Sequence, residues 1–277
     1  MQFDDIVVEK KEQVAWITIN RPERHNAFDF KTIGELGAAF DEVARDRRIG
    51  VVVLTGAGDK AFSAGGYLGD LSSSELDKGK VYSLFRSAFD TMLRLRRMPQ
   101  PVIAAVNGYA IGGGNELVVA CDLAIASERA KFGQTGPKIG SAPVMGGTNM
   151  LGLQIGDKRA KEVCFLCRQY TAREVLEMGW INAVVPHDQL QAEVEKWCEE
   201  LLDKSGLYLE IAKISSNVWW DFLYSHFITN MHMLELAVGS PDMVEGATAF
   251  LEKTRDGMPV RGVYDWCSLR INREAQP

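Results

Sequence analysis

Two glycine-rich stretches and one glutamate are the residues whose types and spacing best suit chemistry. The first stretch is Ala61-Phe62-Ser63-Ala64-Gly65-Gly66-Tyr67-Leu68, and the second is Asn107-Gly108-Tyr109-Ala110-Ile111-Gly112-Gly113-Gly114-Asn115-Glu116. Small residues let another molecule approach the backbone closely, and adjacent glycines can point N–H groups outward. A triple glycine opening a helix exposes unpaired amides, reinforced by the helix dipole, toward an anionic oxygen. Set at consecutive strand ends of one domain, the two stretches offer two amide donors to a single carbonyl. That is an oxyanion hole, in which losing one donor costs about 3–4 kcal/mol in the transition state. Glu116 follows the triple glycine directly. It reads either as an acid–base group or as a first-turn glutamate that complements the helix dipole. His187, His226 and His232 share no ligand spacing and read as structural histidines. Cys164 and Cys167 form a C-x-x-C with no second pair at metal spacing, and read as two small apolar side chains on one helical face.

The elements that must position these residues follow from hydrophobic periodicity. Ile6-Val7-Val8 and Val14 to Ile19 flank a charged turn and predict a hairpin, ended by Arg21-Pro22. Phe30, Ile33, Leu36, Phe40 and Val43 recur at helical spacing. Gly50 to Gly56 has the profile of a strand buried on both faces. A helix over 83–95, a strand over 101–106, a helix from the triple glycine through Cys121 and a strand over 123–126 repeat the unit. This alternation predicts a layered α/β core over residues 1–200. From Leu190 the strand signal fades, and amphipathic stretches over 193–202 and 209–236 predict a helical subdomain over 201–277. Trp219, Trp220, Phe222, Tyr224 and Phe227 are more aromatic surface than one small helical pair buries alone, which predicts oligomer contacts.

Composition bounds the partners. The chain has 277 residues, a formal net charge of −6 and 46% hydrophobic residues, a soluble globular profile without the basic excess of a nucleic-acid surface. Five scattered cysteines argue against a disulfide framework and for a reducing compartment. The first residues lack a basic region followed by an apolar one, and no apolar run approaches the roughly 18–20 residues that span a bilayer. The expectation is a cytoplasmic protein with no membrane partner.

In order along the chain, Asn20-Arg21-Pro22 with Asn26-Ala27, Ala61 to Gly66, Ala105-Val106-Asn107-Gly108 with Gly112-Gly113-Gly114, and Phe132-Gly133-Gln134 resemble the crotonase superfamily. The resemblance covers nearly the whole chain. It implies an α/β fold, a crotonase-like spiral of ββα turns with a C-terminal helical trimerisation subdomain, assembled as a homotrimer or a dimer of trimers. It implies an acyl-CoA thioester substrate, with coenzyme A entering as part of the substrate rather than as a tightly bound cofactor. By motif position the oxyanion donors are Gly66 and Gly113. Ala64 and Leu68 line the adenine site, Arg24, His25 and Ala27 lie near the CoA, and Lys253 reaches a CoA phosphate. Residues 71–82 and the C-terminal helices are expected to line the acyl pocket.

Hydratases of this superfamily hold a water between two glutamates. Glu116 matches the first position, and Gly136 stands at the second. The run Phe132-Gly133-Gln134-Thr135-Gly136-Pro137-Lys138-Ile139-Gly140-Ser141 resembles the 1,4-dihydroxy-2-naphthoyl-CoA synthases. That resemblance implies a bicarbonate at Gln134, Thr135 and Gly136 in place of the missing carboxylate. Those cyclases continue with an aromatic-Asp pair, where this chain has Ala142-Pro143. Ring-opening hydrolases of cyclic β-keto acyl-CoAs share the same run, and the 6-oxocyclohexene-type enzyme continues with small residues resembling Ala142 to Gly147. That enzyme carries a histidine where this chain has Ile139. The leading expectation is therefore hydrolytic carbon–carbon cleavage, with water activated by Glu116 or bicarbonate and the ketone side bound by Ser141 or Tyr82. Enoyl-CoA hydration or isomerisation, a naphthoyl-CoA-synthase-like lyase and a non-catalytic acyl-CoA-binding homologue stay open beside it. Tyr67, where relatives often have Asp, has no role assigned.

Overall fold

A computed structural model describes residues 2–67 and 78–256. The hairpin forms as expected, with β1 (Ile6–Lys11) antiparallel to β2 (Val14–Ile19). Asp29 caps α1 (Phe30–Ala44) by accepting the Thr32 N–H, and Ile33, Leu36, Phe40 and Val43 form its buried face. Three turns of strand, strand and helix follow. They are β3 (Val51–Gly56), β4 (Ala61–Ser63) and α2 (Lys78–Arg97); β5 (Val102–Val106), β6 (Tyr109–Ile111) and α3 (Gly113–Ala120); and β7 (Leu123–Ser127) with β8 (Lys131–Gly133), α4 (Leu151–Ile155) and α5 (Asp157–Leu166). After β9 (Gln169–Thr171), α6 (Ala172–Glu177) and β10 (Ala183–Val185), the described chain is helical. The first strand of each turn joins one sheet of order β1-β2-β3-β5-β7-β10, and the second joins a smaller sheet of order β4-β6-β8-β9. This is the spiral of ββα turns.

The larger sheet separates two apolar layers by the period-two rule. Val52, Leu54, Val102, Ala104 and Val106 face the main core with α1 and α2, whereas Val51, Val53, Ile103 and Ala105 face α7 (Leu190–Leu202) through Leu190, Val194 and Cys198. Burial on both faces explains why β3 and β5 read as unbroken apolar runs. The smaller sheet has no such signature. Its strands are three residues each, too short to show an alternation, and β6 falls inside the glycine-rich second stretch.

The stretch 209–236 is divided among α8 (Gly206–Ser216), α9 (Val218–Phe222) and α10 (Tyr224–Leu236), followed by α11 (Pro241–Asp256). At the break, Asn217 has φ −81° and ψ 4°, and its side chain donates to the Arg96 carbonyl. Four residues earlier, the buried Lys213 ammonium donates to the carbonyls of Leu95 and Gln100 and pairs with Asp122 at 2.7 Å. Asp122 also accepts the Val102 N–H and faces Arg96, whose guanidinium lies 5.1 Å from the Trp220 ring. Burial holds the Lys213 pKa below the usual lysine range despite the Asp122 charge. Trp220 stacks on Phe227 at 4.9 Å, and Phe227 meets Phe89 of α2. Leu207, Tyr208, Ile211, Ile214, Trp219 and Phe222 stay exposed on α8 and α9. Among the described residues no helix is long and apolar enough to cross a membrane.

The Lys213–Asp122–Arg96 cluster fastens the C-terminal helices to the sheet. Asp122→Ala strands two buried cations, so it is expected to lower unfolding stability by about 3–5 kcal/mol, the usual cost of breaking one partner out of a buried pair. Asp122→Ala combined with Lys213→Met is expected to recover part of that loss. Urea titration followed by tryptophan fluorescence checks both.

Candidate active site

The two glycine turns meet through backbone alone. Gly65 has φ +87°, and a Cβ there would lie 2.8 Å from the Gly113 nitrogen and 2.8 Å from the Ile111 carbonyl. A Cβ on Gly114 would collide with the Ser63 carbonyl, and one on Gly113 would meet the Phe28 ring at 2.5 Å. Space disfavours a side chain at each of these contacts, and at Gly65 the positive φ does so as well. Ser63, fully buried, locks the first turn: its hydroxyl donates to the Asn26 carbonyl and accepts the Gly65 N–H. Behind it, Asn26 accepts the Arg21 N–H and donates to the carbonyls of Ala57 and Ala61, from a backbone φ of +55°. Among the described residues, neither the Gly66 nor the Gly113 N–H donates to an acceptor. Gly66 is exposed and Gly113 half-buried at the start of α3, so both amides stand where a ligand oxygen can reach them.

Glu116 lies on the first turn of α3, 2% exposed. Its Oε1 accepts the N–H groups of Met145 at 2.8 Å and Gly147 at 3.2 Å. Burial pushes its pKa up to about 7, and the two backbone donors recover only part of that penalty. Among the described residues no cation neutralises it. A carboxyl raised to about 7 is matched to proton transfer near neutral pH. Sequence reasoning missed Met145 and Gly147, because backbone donors carry no side-chain signature. The only hint was the Gly146-Gly147 pair.

The remaining candidates fall into three groups. Around the first turn, Ala64 is exposed and donates its N–H to the His25 carbonyl. His25 is exposed at φ +51°, Ala27 is buried with its carbonyl on Arg21, and Arg24 is exposed over the Tyr67 ring at 4.8 Å. Around Glu116, Gln134 is fully buried with both carboxamide atoms unpartnered among the described residues, and it packs against Gly147. Thr135 and Gly136 open a short 3-10 turn. Ser141 is half-buried and donates its N–H to the Gly136 carbonyl. A Cβ on Gly136 would lie 3.0 Å from the Ser141 carbonyl and 3.0 Å from the Ala142 Cα, so the direction of a side chain there is crowded by the chain's own backbone. Tyr82 is half-buried against the main core rather than free on a helix surface. Leu68, residues 71–77 and the Lys253 side chain lie outside the described residues; Lys253 itself falls in α11.

The C-x-x-C pair lies at the end of α5, with both thiols free. Cys164 is buried on α5 and its thiol donates to the Gly147 carbonyl, while Cys167 sits just past the helix at φ +51°. The Cys167 thiol reaches back to the Cys164 carbonyl at 3.6 Å, from the left-handed C-cap of α5. Ser127 and His187 share a hydrogen bond at 3.0 Å, and no group of three metal-ligating side chains occurs among the described residues.

The enoyl-CoA hydratase/isomerase family model matches residues 9–257. The solved structure of an enoyl-CoA hydratase/isomerase from Xanthobacter autotrophicus is 32% identical, covers 92% of this chain and 95% of its own, and superposes with a TM-score of 0.83. An enoyl-CoA hydratase from Mycobacterium avium subsp. paratuberculosis is 28% identical, with 91% and 97% covered and a TM-score of 0.83. A monofunctional enoyl-CoA isomerase from M. smegmatis is 31% identical, with 80% and 93% covered and a TM-score of 0.66.

The raised Glu116 pKa has a consequence for stability. Between the ordinary 4.5 and the folded value of about 7, the native state keeps a proton that the unfolded chain has lost. Stability conferred on the protonated side therefore drains away as pH rises through that window and is constant above it. Glu116→Gln accepts the same two backbone donors without ionising. Wild type is expected to lose about 3 kcal/mol more than this variant between pH 4.5 and 8, measured by denaturant titration at each pH. Parallel pH profiles for the two proteins would contradict it.

Proposed function

The chain belongs to the enoyl-CoA hydratase/isomerase family of the crotonase superfamily, and we propose that this acyl-CoA enzyme opens a cyclic β-keto acyl-CoA by hydrolytic carbon–carbon cleavage. One observation carries the reading. Glu116 is a buried carboxyl whose pKa burial raises to about 7, while Gly136 supplies no second carboxylate and its side-chain direction is crowded by Ser141 and Ala142. Adding water across a double bond in the manner of the two-glutamate hydratases calls for one group on the water and another on the carbon. A single shuttling proton is enough for ring opening. Water attacks the ring ketone and Glu116 takes its proton. The bond between the ketone carbon and the thioester α-carbon then breaks, and its electron pair becomes a thioester enolate. The N–H groups of Gly66 and Gly113 hold the enolate oxygen, and Glu116 returns the proton to the α-carbon. One water is consumed and one carboxyl is formed. Ser141 and Tyr82 bind the ketone side in this reading, with Arg24, His25, Ala27, Ala64, Leu68 and Lys253 toward the CoA.

A bicarbonate is the second base considered. The orphaned Gln134 carboxamide, one donor and one acceptor, matches the acceptor and donor edge of that ion, with Thr135 beside it. Bound there, bicarbonate would supply a carboxylate-like base. For assembly, the exposed apolar face of α8 and α9 supports a homotrimer or a dimer of trimers. A second catalytic reading, enoyl-CoA isomerisation, is favoured by the likeness to the M. smegmatis isomerase and also needs one proton carrier.

Incubation with 2-ketocyclohexane-carbonyl-CoA is expected to give a ring-opened acyl-CoA heavier by one water, detected by mass spectrometry. The rate is expected to rise with pH through about 7, since only ionised Glu116 accepts the proton of water. Glu116→Gln is expected to lower it by about 10²–10⁴-fold. Hydration of crotonyl-CoA without ring opening would overturn the proposal.

A further inference from the structure

Tyr67, the residue directly after Gly66, is absorbed by no step of the reaction above. Its position is closely determined by the backbone. The Ala64 N–H donates to the His25 carbonyl, the Phe28 N–H to Gly65, and the Tyr67 N–H to Phe28, so residues 64–67 are zipped to residues 25–28. The zipper places the half-buried Tyr67 ring under the exposed Arg24 guanidinium, 4.8 Å from it. Arg24 belongs to a 3-10 turn over Pro22–Arg24 that ends at His25 in the left-handed conformation. Among the described residues the guanidinium has no carboxylate partner. It is a cation held in place by an aromatic face, with its N–H edge open to solvent, beside the turn that presents the Gly66 amide.

A free arginine on a surface turn samples many rotamers and loses that freedom when it binds an anion. Stacking on a ring removes part of the loss beforehand while leaving the N–H edge open for phosphate oxygens. The chain as a whole is acidic, with a net charge of −6, so a phosphate-bearing ligand needs a locally fixed cation. Resting on the acyl-CoA reading, we infer that Tyr67 is a positioning residue for the phosphate-bearing end of the thioester. It holds Arg24 against the CoA phosphates and takes no part in the chemistry at the carbonyl. An aspartate at this position would attract the guanidinium and neutralise it, whereas a ring orients the cation and leaves its charge available.

The test uses full-length protein and isothermal titration of free coenzyme A and of pantetheine, which lacks the phosphates. Tyr67→Phe keeps the ring and is expected to bind coenzyme A within about 2-fold of wild type. Tyr67→Ala is expected to weaken it by about 5- to 10-fold, as Arg24→Ala does, with no further loss in the double variant. The penalty is expected to shrink at high salt and to be absent for pantetheine. With a turned-over acyl-CoA, Tyr67→Ala is expected to raise KM rather than lower kcat. Equal affinity of wild type and Tyr67→Ala for coenzyme A overturns this inference while leaving the acyl-CoA reading intact. So does an equal loss for pantetheine, which would mark Tyr67 as merely structural, and so does a Tyr67→Phe variant as weak as Tyr67→Ala. A wild type that binds no coenzyme A overturns both.

Discussion

The site depends on one close approach, the packing of two backbone turns against each other with no side chain between them. Gly65 lies against the Gly113 nitrogen, and Gly114 against the Ser63 carbonyl, at distances that exclude a Cβ. The strand order makes the meeting unavoidable, because β4 and β6 are parallel neighbours in the smaller sheet and each ends where its glycine turn begins. Asn26 and Ser63 then bind the first turn from behind, using three buried hydrogen-bonding groups that would be costly to strand. The spiral of ββα turns is in this sense a way of bringing two glycine turns from consecutive units into backbone contact.

The second constraint is electrostatic. Glu116 lies in the first turn of the helix that the second glycine turn opens, so the element that carries the Gly113 amide also places the carboxyl. Two opposed effects set its proton affinity. Burial favours the neutral acid, and the Met145 and Gly147 donors favour the carboxylate; burial wins. The loop that supplies those donors is tied down in turn by the Cys164 thiol on the Gly147 carbonyl and by Gly140 and Gly246 packing the loop backbone on α11. The C-terminal helices thus reach the site through packing as well as through the Lys213 cluster.

Much of this was legible in the sequence, for physical reasons that differ between elements. β3 and β5 could be read because burial on both faces demands unbroken apolar runs, and α1 because its buried stripe has a clean helical period. The glycine turns could be read because few other roles require so many residues without Cβ atoms. Three-residue strands such as β8 have too few positions to show an alternation. The side chain of Asn217, at the helix break, bonds the Arg96 carbonyl, more than a hundred residues away in sequence. The donors to Glu116 are backbone groups, and the Tyr67–Arg24 stack joins two loops, so neither leaves a local pattern.

The central claim is that Gly66 and Gly113 hold one thioester oxygen while Glu116 alone moves the proton. A crystal structure with a non-cleavable cyclic acyl-CoA analogue tests it most directly. The account predicts the thioester oxygen at about 2.7–3.1 Å from both amide nitrogens, with the Glu116 carboxyl facing the α-carbon and no second carboxylate beside it. A thioester oxygen bonded to neither amide, or a second carboxylate on the reacting carbons, would contradict it.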